Sequence, residues 1–340
     1  MIRNKRDSFI QIDEDDFEEL HQYYDANLVA RKRFPEVFQK RPIVLSHGIA
    51  RPDYLVDSVF RTLNLSLYDF SLVSDRFHYF RGIASYLRKH DFEVYHTSVS
   101  FAADVETRAE DLKKEILKII EKTKTDKVHV IAHSMGGLDA RHMIVNHDMA
   151  EKISSLTTIG TPHWGTSVAD VAIQYGMDKV IGVLKTIMNF DGIRSCATES
   201  CAAFNREVEA FEAKNPIFYQ TYSSHQEFNQ TFLPFQIAWK ILDKNEGEND
   251  GLVSLKSQRW TKMLSTEDGY RKEVPQHSFP IRADHMDQMG WWNLNEIHKA
   301  GWWNMRALSE KQKHEELIKS VYLKIAREVC GLIVSENKRR

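Results

Sequence analysis

The sequence predicts an α/β fold, a mostly parallel sheet with helices on both faces. Three observations carry that expectation. Strand-length apolar runs alternate with amphipathic stretches of helical period, and repeated strand-helix-strand units need crossovers that make neighbouring strands parallel. The first candidate strand, Pro42 to Ser46, is a short apolar run, as a strand buried on both faces requires. The composition, 42% hydrophobic and 28% charged over 340 residues, is a globular balance that supports a sizeable core.

Before Pro42 one amphipathic pattern stands out, with Phe17, Leu20, Tyr24 and Leu28 at helical spacing, so residues 1–40 are read as an N-terminal helical extension. The first strand is expected at Pro42 to Ser46, opening into His47-Gly48. Residues 51–80 show no clear period. A helix through Ile83, Tyr86 and Leu87 leads to a second strand at Phe92 to His96. Residues 103–123 form a helix with Val105, Ala109, Leu112, Ile116, Ile119 and Ile120 on one stripe and acidic residues in its early turns. The strand Val128 to Ala132 runs straight into Ser134-Met135-Gly136-Gly137 and a helix through Leu138, Met143 and Ile144. Another strand, Leu156 to Ile159, ends at Gly160-Thr161-Pro162. Beyond Trp164 the alternation stops for some forty residues, read as a helical insertion over 165–205. Strands at Ile217 to Tyr222 and Phe279 to Ile281 follow, and a closing helix spans 308–333. With no linker or repeat in view, residues 41–340 are expected to be one domain.

A formal net charge of -2 gives no sequence-wide field to attract nucleic acid or an anionic membrane. Cys196, Cys201 and Cys330 are too few for a disulfide framework and form no CxxC pair, which fits a reducing compartment. Neither a signal peptide nor an unbroken apolar stretch of membrane-spanning length is visible. The expected location is therefore cytoplasmic, or secreted where a leader precedes this sequence.

Ala132-His133-Ser134-Met135-Gly136 lies where a buried strand turns into a helix, the context of a nucleophile elbow. Small residues at 132 and 136 let such a turn pack tightly and lift the Ser134 hydroxyl out of the sheet, making Ser134 the candidate nucleophile. Its base must come from among fifteen histidines. In this architecture the order along the chain is nucleophile, acid, histidine. His285 in Asp284-His285-Met286-Asp287 follows the last expected strand; His277 precedes it and is the rival, while His225 comes before the acid. For the acid, Asp250 lies in an Asn249-Asp250-Gly251 turn that can hold a carboxylate in one direction. Asp243 is the alternative. Asp284 is not expected to orient its neighbour His285, because adjacent side chains on an extended segment point apart. A tetrahedral intermediate needs two donors: the Met135 amide, after the nucleophile, and the Ile49 amide, where Gly48 permits close backbone approach.

Five blocks in order, Leu45-Ser46-His47-Gly48, Ala132-His133-Ser134-Met135-Gly136-Gly137, Gly160-Thr161-Pro162-His163-Trp164-Gly165-Thr166, Asn249-Asp250-Gly251-Leu252-Val253 and Asp284-His285-Met286-Asp287, resemble the Pseudomonas-type bacterial triacylglycerol lipases of the α/β-hydrolase fold. The resemblance implies hydrolysis of carboxylic esters, commonly long-chain acylglycerols, through an acyl-enzyme. It makes Ser134, Asp250 and His285 the triad and the Ile49 and Met135 amides the oxyanion hole. No cofactor is implied for the chemistry; the partner is a lipid or other small ester. It implies that the 165–205 insertion is a lid, with Gly176 and Gly182 as hinges and contact with a lipid interface. It also implies a structural calcium near the catalytic histidine, with Asp287 as one ligand. The chain departs from the family in three respects. Ala132 replaces the usual glycine, the signal peptide common in the family is not seen, and the second calcium carboxylate is unmatched, only Glu227 lying near its expected place. Trp291-Trp292 and Trp302-Trp303 fit a core or subunit contact better than a lipid anchor. An acyltransferase or thioesterase would use the same elbow. A non-catalytic binding scaffold would be expected to lack a triad member, and none is missing.

Overall fold

The computed structural model describes residues 40–48, 79–100, 103–175, 190–291 and 305–331. Among these, six parallel strands form one sheet. They are β1 (Ile43–Ser46), β2 (Val94–His96), β3 (Val128–His133), β4 (Ile153–Ile159), β5 (Phe218–Ser223) and, after a two-stranded antiparallel ribbon of β6 (Met263–Ser265) and β7 (Arg271–Glu273), β8 (Gln276–Ser278). Their order is β2-β1-β3-β4-β5-β8. Every neighbouring pair in the large sheet is parallel, as the crossover argument requires.

Both faces of the sheet are covered, and the period of two along each strand sorts the side chains. Ile43, Leu45 and Ile131 point to one layer with Ile83 and Leu87 of α1 (Ile83–Arg88), while Val44, Val130 and Ala132 point to the other with Leu112 and Ile116 of α2 (Val105–Thr123). The second layer also holds Met143 and Ile144 of α3 (Met135–Asn146). Next come α4 (Ser167–Tyr175), α5 (Phe190–Ser195), α6 (Thr198–Lys214), α7 (Gln236–Asn245) and α8 (Leu255–Gln258). The closing helix, α9 (Met305–Val329), returns Tyr322, Ile325 and Val329 to the first layer.

Register places the site. Ser46 pairs with Ala132 and His133 with Ile159, so β1, β3 and β4 end side by side. Their successors, His47-Gly48, Ser134 and Gly160, therefore share the carboxyl edge of the sheet, where α/β folds place their ligands.

The main correction to the expected elements is the last strand. It is Gln276–Ser278 rather than Phe279 to Ile281, and it pairs with Thr221 to Ser223. Apolarity misplaced it: β8 is a half-exposed edge strand with no apolar residue, and Phe279 instead turns into the core after donating its amide to Ser223 O at 2.9 Å. β4 begins at Ile153, three residues early, through the small polar pair Ser154 and Ser155. Trp291 joins the core as expected, donating Nε1–H to Tyr79 O at 2.9 Å. The N-terminal extension up to residue 39, Ile49, the lid hinges Gly176 and Gly182, and Trp292, Trp302 and Trp303 lie outside the described residues. No helix among the described residues is long and apolar enough to cross a membrane.

Candidate active site

Ser134 has φ 57° and ψ −137°, a conformation that costs a non-glycine residue energy and that its neighbours hold in place. Its amide donates to Ile159 O at 2.8 Å and its carbonyl accepts from Thr161 Oγ1 at 2.9 Å, tying the turn to the end of β4. α3 starts at the next residue. A side chain at Gly136 would come within 2.7 Å of His47 O, so only glycine lets α3 begin this close to the end of β1.

Among the described histidines, His285 is the one that reaches the serine, with Nε2 2.8 Å from Ser134 Oγ. Its Nδ1–H donates to Asp250 Oδ2, also at 2.8 Å. The Asp250 carboxylate is fully buried, and its Oδ1 accepts the Leu252 and Val253 amides at 3.0 and 2.8 Å. That is the fixed direction expected of the Asn-Asp-Gly turn, whose Asn249 Oδ1 accepts the Gly251 amide at 2.9 Å. Acid and base loops are joined through the backbone as well, His285 N donating to Asp250 O at 2.9 Å. The rivals are elsewhere: Asp243 is exposed on α7, and His277 packs its ring on Tyr222 in β8, where burial lowers its pKa to about 3.

The loop after β1 is braced by a residue that the sequence reading passed over. Arg108, fully buried on α2, directs Nη2–H to His47 O at 3.0 Å and Gly48 O at 3.2 Å, and Nη1–H to Ser100 O at 2.9 Å. Nε and Nη2 both donate to Asp139 Oδ2, at 2.9 and 2.7 Å. Burial raises the Asp139 pKa to about 6 against the opposing pull of Arg108. His47 Nδ1–H adds a second contact to the Gly48 carbonyl, at 2.7 Å. A Cβ on Gly48 would stand 2.7 Å from Ser134 Cβ, so this peptide passes directly over the serine. Arg108 left one trace in the sequence, a cation four residues before Leu112 on the apolar stripe. A second buried arginine, Arg141 on α3, is fixed by Glu212 through two contacts of 2.8 Å and lies 4.0 Å from the centre of the Trp260 ring.

Ser134 and His285 open onto a cavity of about 710 Å³ including its mouth. Met135, Pro162, Val168, Ala172, Ile193 and Leu252 make its walls, apolar surface suited to a hydrocarbon chain.

Calcium does not fit the loop after His285. Asp287 Oδ2 accepts the Asp284 amide at 3.1 Å, and Oδ1 faces His314 Nε2 at 3.7 Å, so among the described residues its neighbours are nitrogens where a hard cation needs several oxygens. Glu227 is exposed and pairs with Arg282. No group of three or more His, Cys, Asp or Glu among the described residues is arranged to hold a metal ion. The link between loops is made by Asp284, whose carboxylate accepts the amides of Phe232 at 2.7 Å and of Met286 and Asp287 at 2.9 Å. Burial, with the charge of Asp250 nearby, raises its pKa to about 6 against those hydrogen bonds.

The parallel sheet and the site on its carboxyl edge define an α/β-hydrolase fold, and a family model described as alpha/beta hydrolase fold matches residues 41–185. Triacylglycerol lipase 2 of Saccharomyces cerevisiae is 29% identical over 287 residues, covering 75% of this chain and 81% of that protein. A triacylglycerol lipase of Pseudarthrobacter phenanthrenivorans is 33% identical over 132 residues, 38% of this chain and 35% of its own. Among solved structures, a metagenomic carboxyl esterase superposes with a TM-score of 0.56 at 15% identity, covering 85% of this chain and 75% of its own, a likeness of fold. On this fold, the chain is a carboxylic ester hydrolase.

Proposed function

We propose that the protein is a lipase of the Pseudomonas type, cleaving acylglycerols or related lipid esters by way of an acyl-enzyme on Ser134. The observation that carries this reading is an unbroken hydrogen-bonded line, Ser134 to His285 to Asp250, at the mouth of an apolar cavity. In the proposed cycle, His285 Nε2 takes the Ser134 proton as Oγ attacks the ester carbonyl, and Asp250 holds the imidazole in the tautomer that leaves Nε2 free to accept. The Met135 and Ile49 amides receive the oxyanion. The imidazolium then protonates the leaving alcohol, and a water activated by the same nitrogen releases the acid. Every proton and donor in this cycle other than the water's comes from the chain itself.

The reading takes residues 41–340 as the catalytic domain and 1–40 as an extension of it. It places the enzyme in the cytoplasm, a reducing compartment that agrees with three buried free thiols at Cys196, Cys201 and Cys330. The test is a set of initial rates on p-nitrophenyl esters from acetate to palmitate, with Ser134→Ala alongside. A maximum at medium or long chains, abolished in the variant, supports the lipase. Activity confined to the shortest esters makes the protein a short-chain esterase, and wild-type rates in Ser134→Ala remove the nucleophile.

A further inference from the structure

Behind the proposed triad lies a second line of hydrogen bonds, formed by residues for which that reading has no task. Gln288, three residues after His285, is fully buried, and its amide nitrogen is 2.9 Å from Asp250 Oδ2 and 2.8 Å from Ser224 Oγ. Its Oε1 is 2.9 Å from His133 Nε2, and His133 Nδ1 is 2.7 Å from Tyr79 Oη. The Gln288 carbonyl accepts from Tyr322 Oη at 2.9 Å, which anchors the residue to α9.

One acceptor sets every direction in this line. An ionised carboxylate can only accept, so the Gln288 atom facing Asp250 must be the nitrogen. Ser224 Oγ spends its own proton on Ala283 O at 2.7 Å and accepts the second Gln288 N–H, which agrees with that orientation. Gln288 Oε1 then accepts, so His133 must carry its proton on Nε2, and its bare Nδ1 must accept from the Tyr79 hydroxyl. The His133 ring is completely buried, its centroid 4.5 Å from that of His285, and burial together with that neighbour holds its pKa well below the usual histidine range. It remains the neutral tautomer that the line demands.

We propose that Gln288 and His133 are positioning residues that hold the Asp250 carboxylate ionised and fixed in direction, and thereby set the basicity of His285. This rests on the catalytic reading of Ser134, His285 and Asp250. With Gln288 in place the carboxylate accepts four hydrogen bonds, two on each oxygen, and Oδ2 divides its charge between His285 Nδ1–H and Gln288 Nε2–H. Removing the Gln288 donor concentrates that charge on the imidazole and favours the imidazolium. Among the described residues, the titratable groups facing the line are Asp250 and Asp284, the rings of His285, His133 and His47, and the phenols of Tyr79 and Tyr322.

Two variants and one spectrum test the proposal, using the full chain and a p-nitrophenyl ester. Gln288→Met keeps the volume and removes both amide ends. The expected result is a kcat about tenfold lower, KM nearly unchanged, and an acid limb of the kcat profile moved up by about half a pH unit or more. Gln288→Glu keeps an acceptor for His133 but sets two carboxyl groups against each other, so it works only while they share a proton. Its activity should fall as pH rises, a new alkaline limb that Gln288→Met lacks. Wild-type pH profiles in both variants would overturn the proposal, as would a loss confined to KM. Should Gln288→Met fail to fold, ¹⁵N spectra of histidine-labelled wild type decide. The proposal requires His133 neutral with its proton on Nε2 down to acid pH, and a proton on Nδ1 would reverse the line and refute it. A wild type inactive on every ester would instead sink the catalytic reading, whereas an active wild type with unmoved variants sinks only this inference.

Discussion

Replacing Arg108 by lysine separates charge from direction in the loop after β1. The planar peptide that carries the Gly48 carbonyl also carries the Ile49 N–H on its opposite edge, so fixing the carbonyl fixes the proposed oxyanion donor. In the wild type that carbonyl is held by Arg108 Nη2 and His47 Nδ1, and the guanidinium makes five contacts in all. A lysine ammonium at this depth can keep the ion pair with Asp139, but it has no fork with which to span Ser100, His47 and Gly48 together. Losing about three buried contacts at about 1 kcal/mol each costs about 3 kcal/mol, less than the usual stability of a folded domain. The protein should therefore fold, with a lower melting temperature. Loss of one aligned oxyanion donor is worth about 10²-fold in kcat, about 2.7 kcal/mol at the transition state, with little change in KM because the ground-state carbonyl gains little from it. The assay is steady-state hydrolysis of a p-nitrophenyl ester, with circular dichroism and thermal melts on the same samples. A folded Arg108→Lys enzyme with wild-type kcat would refute the reasoning, and an equal rise in KM would show that the loop serves binding rather than the transition state.

Asp250→Asn keeps the turn's shape but offers His285 Nδ1 an amide that favours the wrong tautomer, and kcat should fall by about 10⁴-fold with the melting temperature little changed. Ala172→Phe on α4 fills the cavity wall, so the preferred ester should shorten while rates on acetate persist; an unchanged chain-length profile would place the acyl chain elsewhere. Because Asp287 faces nitrogens, a chelator should leave the melting temperature where it was, and a clear drop would restore a calcium site. Burial lowers the pKa of His142 and of His314 to about 4 and that of His277 to about 3. The unfolded chain therefore binds protons below pH 6.5 that the fold does not. Stability should fall with pH in that range by about 1.4 kcal/mol per unit for each such histidine, and His277→Phe should flatten the melting-temperature profile.

The elements legible in the sequence are those whose burial leaves a regular apolar pattern. β1 is an apolar run and β3 one broken only by His129 before its end at His133, because neither side meets water, and α2 shows a clean stripe because its other side does. β8 escaped notice because an edge strand needs no apolar residue; its place is fixed by backbone pairing with β5, which leaves no mark on side-chain type. The ribbon of β6 and β7 escaped for a related reason. It buries chiefly Leu264 and Lys272, and the Lys272 ammonium is spent on the carbonyls of Glu212, Asn215 and Ile217.

In the site, legibility followed chain locality. The elbow is five residues whose pattern changes from strand to helix at the serine, and Asp250 and His285 follow from the order that the architecture imposes. Contacts between distant residues had no such signal: Tyr79 and His133 are 54 positions apart, His133 and Gln288 155. The two aspartates around His285 make the limit concrete. Asp284 and Asp287 are the same residue type, both buried, and either is near enough in sequence to serve the histidine loop. The resemblance pointed to Asp287 as a cation ligand, yet among the described residues three amides converge on Asp284 and one on Asp287. A carboxylate already supplied with three N–H donors can tie two loops together without a metal ion, and which carboxylate receives them depends on where Phe232 arrives from a separate turn of the chain.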